Sequence, residues 1–524
     1  MTGTGIFIRT FLRRDRWMMF WWIAGGTLLY YSQAPSVDAT YTSQAEFDRA
    51  ATSMEQNVAF IAMTGPARAL NTIGGQVAWQ AMAIGAIVAG LMSMFIIGRH
   101  TRAEEESGRD ELVRSAAVGR HAPIVAAFVV ATLANVAMGG LITVSLLSYG
   151  LDVEGCLSIG VALTLTGLTF TGVALVAAQL TDGVRAMYGI AGAVIAVSYA
   201  LRAVGDVAEN GLSWLSPIGW GQAMHPFSGE RWWPALLPVL ATIALVGAAL
   251  ALFAHRDIGA GLWPSRPGPG RAGRPLLGTL GLAWRLQRGS IIGWTTGILL
   301  LGISYGSIGD DVEDLMGSSE FSEAILGAGT SITDSFYAFA ILMIALIASG
   351  FTISSALRPL GEEEAARVEA LLATALSRRT WLLGHVAMTV LGTIAVLVAG
   401  GAGLGLGFAM VTGDADAVWR YLGAMLPYLA PMLLLGALAR LLHGVVPRVA
   451  YLAWVGLAFC VVVMFFGELL RFPAAVVDVS PFSHLALAPA EDVRWLPVLV
   501  VALVALVLSV VGQAAFRRRD VITT

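Results

Sequence analysis

Residues 102–115 read RAEEESGRDELVRS, and residues 358–372 read RPLGEEEAARVEALL. Each stretch begins where a long apolar run ends, and each places three consecutive glutamates there. The chain contains no lysine, so its fixed positive charge is carried by arginine. Over 524 residues it is 57% hydrophobic and 13% charged, with a mean hydropathy of +0.74. A soluble domain is about half apolar and about a quarter charged. Apolar runs this long and numerous imply an all-α polytopic membrane protein, because a helix satisfies its own backbone in lipid.

Twelve runs are candidates for membrane spans. The first six lie near 17–33, 76–98, 122–149, 157–180, 185–204 and 234–254. The second six lie near 290–307, 336–357, 381–410, 421–439, 449–467 and 495–515. With an inside N-terminus and every run crossing, 25 of the 32 arginines fall on inner segments. Such a bias sets orientation, so both termini are expected in the cytoplasm, and the chain in the plasma membrane. The stretch after MTGTGIFIRTFLRRDRW shows no small-residue cleavage site and reads as a retained first span. Cys156 and Cys460 form no metal-binding pattern or disulfide framework. A net charge of −3 gives no footprint for nucleic acid.

The glutamate triplets stand 258 residues apart, and other landmarks recur in the same order. RRDRWMMFWWIAGG (13–26) pairs with RLQRGSIIGWTTG (285–297), and LSPIGWGQAMHPFSGERWWPALLPVL (215–240) pairs with VSPFSHLALAPAEDVRWLPVLV (479–500). AHRDIGAG (254–261) pairs with FRRRDVIT (516–523). Six spans per copy give two halves of like orientation, a parallel repeat around a shared central cavity. The expected organisation is a first half at 1–260, a Pro/Gly/Arg-rich linker at 261–275 and a second half at 276–524.

In each triplet the acids suit the first turn of a short helix, where they oppose the dipole. Glu105 with Arg109, and Glu363 with Arg367, have the i,i+4 spacing of a helical ion pair. Leu112 and Leu371 belong to an apolar stripe that follows the acids. A solvated connector explains one such segment. The same acidic-then-apolar pattern in both halves favours a face that docks a two-fold partner.

These features resemble the permease subunits of type-2 ATP-binding-cassette exporters. The resemblance is closest to the large fused actinobacterial permeases described as exporters of polyketide antibiotics and as multidrug exporters. It is carried by EEESGRDEL, EEEAARVEALL, the SPIGW and SPF segments and the doubled six-span layout. It implies that residues 103–118 and 361–376 are coupling helices seated on a cytoplasmic ATPase, two copies per fused permease. The coupling residues would be Glu104, Glu105, Glu106, Arg109, Glu111 and Leu112, then Glu362, Glu363, Glu364, Arg367, Glu369 and Leu371. Elbow helices at 5–16 and 276–288 would lie along the inner surface and present Arg13, Arg14, Arg16, Trp17, Trp284, Arg285 and Arg288. Short re-entrant helices would occupy 213–231 and 477–494 on the outside. The solute would be hydrophobic or amphiphilic: an antibiotic, a drug or a lipid-like molecule.

This chain cannot itself carry the usual phosphate-binding loop, whose lysine reaches the phosphates. ATP and Mg would therefore sit on the partner, and no cofactor or metal is expected here. An ion-gradient carrier is the alternative, but it needs titratable groups at membrane depth, and the predicted spans hold almost none. A membrane enzyme or assembly protein would need a polar cluster at one face, and none stands out.

Overall fold

The computed structural model describes residues 2–41, 43–56, 58–109, 118–257, 259–263, 270–309, 332–467 and 472–520. Among them there is no β-strand, and the chain divides into two compact units, Met1–Gly268 and Pro269–Thr524. The first unit runs α1 (Thr4–Thr40), α2 (Gln44–Gln56), α3 (Val58–Thr64), α4 (Ile73–His100) and α5 (Arg102–Glu106). It continues through α6 (Ala122–Ser148), α7 (Val153–Leu180), α8 (Val184–Val207), α9 (Pro217–Gln222) and α10 (Leu236–Ala254). The second unit runs α11 (Thr279–Gly306), α12 (Ile332–Ala356), α13 (Arg358–Glu364), α14 (Arg367–Leu372) and α15 (Arg378–Thr412). It ends with α16 (Ala417–Met425), α17 (Leu429–Val445), α18 (Ala453–Phe466), α19 (Ala474–Val477) and α20 (Trp495–Arg518).

Eleven helical stretches among the described residues are long and apolar enough to cross a membrane. The remaining expected run, 17–33, lies inside α1 but is not one of the eleven. Its apolar character is diluted by Trp17, Trp21, Trp22, Tyr30 and Tyr31. Local chemistry sets several helix starts. The Thr72 hydroxyl accepts from the Gly75 amide at 3.1 Å, and the Asp152 carboxylate accepts from Glu154 and Gly155. The Ser377 hydroxyl does the same for Thr380. Each satisfies an amide that the first helical turn leaves free.

Burial repeats from unit to unit. The most apolar windows of α4, α6, α7, α8 and α10 are 72, 50, 67, 28 and 22% buried. Their counterparts in the second unit (α12, α15, the α16–α17 stretch, α18 and α20) are 78, 56, 61, 22 and 22% buried. In both units the span that leads into the glutamates is therefore the central one, and the last span is peripheral.

Glycine makes the tightest contacts possible. On α11, a Cβ at Gly302 would lie 2.6 Å from the Gly400 carbonyl of α15, and one at Gly306 would lie 2.0 Å from that of Leu404. Backbones that close leave no room for a side chain, the usual logic of small residues between membrane helices.

Candidate functional site

α4 ends at Thr101, whose backbone leaves the helical region (φ −122°, ψ −90°) and whose hydroxyl donates back to Ile97 O at 2.6 Å. The chain then forms the five-residue α5 and turns at Ser107 and Gly108, the latter with φ +70°. The three glutamates diverge from this turn. Glu104 pairs with Arg14 of α1 and, at 3.7 Å, with Arg109. Glu106 accepts from the Val184 amide at 2.8 Å, which caps the start of α8.

Glu105 turns inward. Its carboxylate accepts from Arg102 Nη1 at 3.0 Å and from Arg256 at 3.0 and 2.5 Å. Arg256, just past the end of α10, also donates through Nε to Gln179 Oε1 at 2.7 Å, near the end of α7. Arg102 is fully buried and donates to Ala178 O.

The second unit repeats this arrangement with different chemistry. Glu363 accepts from Arg519 Nη2 at 2.9 and 2.7 Å, and its Oε1 lies 2.7 Å from His443 Nε2. Arg519 follows α20, and His443 lies near the end of α17. In the repeat, Arg256 corresponds to Arg519 and Gln179 to His443. Each central glutamate is thus clamped between the ends of the fourth and sixth spans of its own unit. Glu362 pairs with Arg358 at 2.9 Å and with Arg367 at 2.7 Å. Hydrogen bonding to Glu362 pushes the Arg367 guanidinium above its ordinary value.

The expected i,i+4 pairs of Glu105 with Arg109 and Glu363 with Arg367 are therefore replaced by other pairings. The reason is backbone geometry. Gly108 ends one helix, and Ala366 at φ +55° breaks the other between α13 and α14, so helical spacing is lost. Glu364 and Glu369 remain exposed, as does most of Arg109. Leu371 packs on Val368, Trp381, Leu382 and Phe516. Glu111 and Leu112 lie outside the described residues.

The first elbow stretch is the start of α1. The second begins in a 3-10 turn (Arg274–Leu277), passes the extended Gly278 and continues as the first turns of α11. Both α1 and α11 run on into their apolar parts without a break. Arg13, Arg14, Arg16, Trp17, Trp284, Arg285 and Arg288 are exposed on them. Sequence reasoning missed the inward residues at the same places. Asp15 is 1% exposed and bridges Arg99 at 2.9 Å and His100 at 2.7 Å. Phe11 stacks on His100 at 3.8 Å between ring centroids. The counterpart of Asp15 in the repeat is Gln287, buried and bonded to Ser355 at 2.5 Å. A single acid among four arginines was the available signal for Asp15.

One face of α11 is open. Gly289, Gly293 and Gly297 each have free space where a Cβ would stand. With Ser290, Trp294, Ile298, Leu301 and Ile347 they line an apolar groove of about 520 Å³. Among the described residues no cluster of His, Cys, Asp and Glu could hold a metal ion.

Residues 276–517 match the family model described as the C-terminal domain of the multidrug efflux system permease Rv1217c. The whole chain is 36% identical over 525 residues to the multidrug efflux system permease protein Rv1217c of Mycobacterium tuberculosis. That similarity covers 99% of this chain and 95% of the relative. By identity across nearly its full length, the chain belongs to the family of the Rv1217c multidrug efflux permeases.

Proposed function

We propose that this chain is the membrane permease of an ATP-driven exporter, working with a separate cytoplasmic ATPase in two copies. It moves hydrophobic or amphiphilic small molecules (antibiotics, drugs or lipid-like compounds) out of the cell. In this reading α1 supplies the twelfth crossing, both termini face the cytoplasm, and hydrolysis belongs wholly to the partner.

The observation that carries this reading is the doubled clamp at Glu105 and Glu363. A segment held only by solvent cannot move a helix. Here each triplet is fixed by buried ion pairs and hydrogen bonds to the ends of two spans of its unit. A push on the exposed part of the segment, at Arg109 or at Glu364 and Glu369, is transmitted to those spans as a rigid displacement. Two such levers match a two-fold motor. The open apolar groove of α11 offers a surface suited to a greasy solute, with Trp294 available for stacking.

The test is reconstitution of the purified chain in liposomes with and without a candidate ABC-type ATPase subunit from the same organism. Drug uptake into inside-out vesicles is expected only with the ATPase and hydrolysable ATP. Transport by this chain alone, driven by a proton or sodium gradient, would replace this reading with that of an ion-coupled carrier.

A further inference from the structure

The end of α4 remote from the glutamates holds a second cluster of charge. The loop before α4 and the turn after α9 close on one another there. Gln222 Nε2 donates to Thr64 O at 2.5 Å, and Trp79 Nε1 donates to Gly65 O at 2.8 Å. Gly65 has φ +117°, and a Cβ on it would lie 2.6 Å from Gln222 Nε2, so only glycine lets the loop close. The Arg231 amide donates to Met224 O at 2.8 Å and fixes the turn. Between these pieces lies a cleft of about 370 Å³ lined in part by Arg68, Asp206, Trp214, Gln222, His225 and Arg231.

The charges of the cleft are unequally engaged. Asp206 is already paired with the fully buried Arg202 at 3.7 Å, and Arg202 donates to Ile61 O and Met63 O. Among the described residues no hydrogen bond or ion pair occupies the guanidinium of Arg68 or of Arg231. The buried Gln222 Oε1 also has no hydrogen-bond partner. Burial, with Arg68 and Arg231 nearby, pushes the His225 imidazole down to about 4, so it is neutral at physiological pH. What remains is a net positive cavity with two forked donors that carry no hydrogen bond among the described residues, Arg68 sharing the charge of Asp206 with Arg202. Such donors fit carboxylate and phosphate groups. Its rim is apolar, with Trp214 stacked on Trp233 at 5.3 Å. It also sits where α8 ends and α4 begins, at the edge of the apolar spans.

We propose that this cleft binds the acidic headgroup, carboxylate or phosphate, of an amphiphile, with Arg68 and Arg231 as its charged donors. Trp214 and Trp233 flank the apolar stem. The polar lining is not repeated in sequence: at the repeat offset, Gln222 and His225 correspond to Ala486 and Pro489. Headgroup binding does not depend on the chain being a pump, so the two readings fail separately.

The test uses the full chain in phosphatidylcholine nanodiscs and a dansyl-labelled long-chain fatty acid, with binding read by fluorescence. Saturable binding is expected for the acid and not for its methyl ester. Affinity is expected to fall about tenfold in R68Q/R231Q, with R68K/R231K in between. Phosphatidylglycerol added to the nanodiscs competes when a lipid headgroup is the natural occupant and fails to compete when it is a soluble acid. Equal binding of acid and ester to the unaltered chain overturns the assignment, whether or not the variants fold. Unchanged affinity in both folded double variants does so too.

Discussion

Glu363 and Arg519 stand 156 positions apart in the chain, and their charged groups meet at 2.7 Å. Their side chains are 5 and 15% exposed, so water does little to replace either partner. Removing one charge from a buried pair strands the other, which costs about 3–5 kcal/mol. Glu363→Gln and Arg519→Gln are each expected to lower unfolding stability by that order in detergent. The double variant should fall well short of the sum, since the second substitution removes a charge already stranded. Strictly additive losses would mean that the two residues act independently.

Charge reversal separates the clamp from the docking face. Glu364 and Glu369 are exposed, so Glu364→Arg with Glu369→Arg is expected to shift stability by no more than about 0.5 kcal/mol. The same pair should weaken ATPase association on the order of tenfold, measured by co-purification or surface binding, because reversed charges then face the partner. Normal association would remove these acids from the docking face and leave the triplet as an internal fastening.

The elbow stretches hold a third fastening. Asp15→Asn leaves Arg99 and His100 without their carboxylate, and a loss of about 3 kcal/mol is expected. Gln287→Leu removes one partner of the Ser355 hydroxyl, which keeps its hydrogen bond to Thr389, so a loss of about 1 kcal/mol is the scale. Hydrogen exchange reads the difference from a general loss of stability. The first turns of α1 should lose protection in the Asp15 variant while α6 and α7 retain theirs. Uniform loss of protection across the unit would make Asp15 an ordinary core contact.

The spans were legible because lipid imposes one rule on every crossing segment, and the apolar runs obey it. The duplication is read from ordered landmarks such as Arg13 with Arg285. What those landmarks do was harder to read. A triple glutamate looks solvated by composition, yet Glu105 is recruited inward by Arg256, 151 positions away. No local pattern announces a partner at that distance. The helical spacing of Glu363 and Arg367 was sound as far as it went, but Ala366 adopts a left-handed backbone. Alanine gives no sequence sign of such a turn. The run 17–33 lies within α1 but outside the eleven stretches long and apolar enough to cross, and the arginines before it hide Asp15, which reads as one more charge in a basic stretch.

The groove on α11 can be tested by contrast between two glycines of that helix. A Cβ on Gly297 meets open space, whereas one on Gly302 would lie 2.6 Å from the Gly400 carbonyl. Gly302→Leu must therefore push apart two backbones that have nothing flexible between them, and a loss of at least about 1–3 kcal/mol is expected. Gly297→Leu should stay within about 0.5 kcal/mol of the unaltered chain. Its side chain would instead fill part of the 520 Å³ groove beside Trp294. If solute travels along that surface, resistance to the bulkiest apolar drugs should fall in cells carrying Gly297→Leu, while resistance to small ones persists. An unchanged drug profile with normal folding would place the solute path on another face of the bundle.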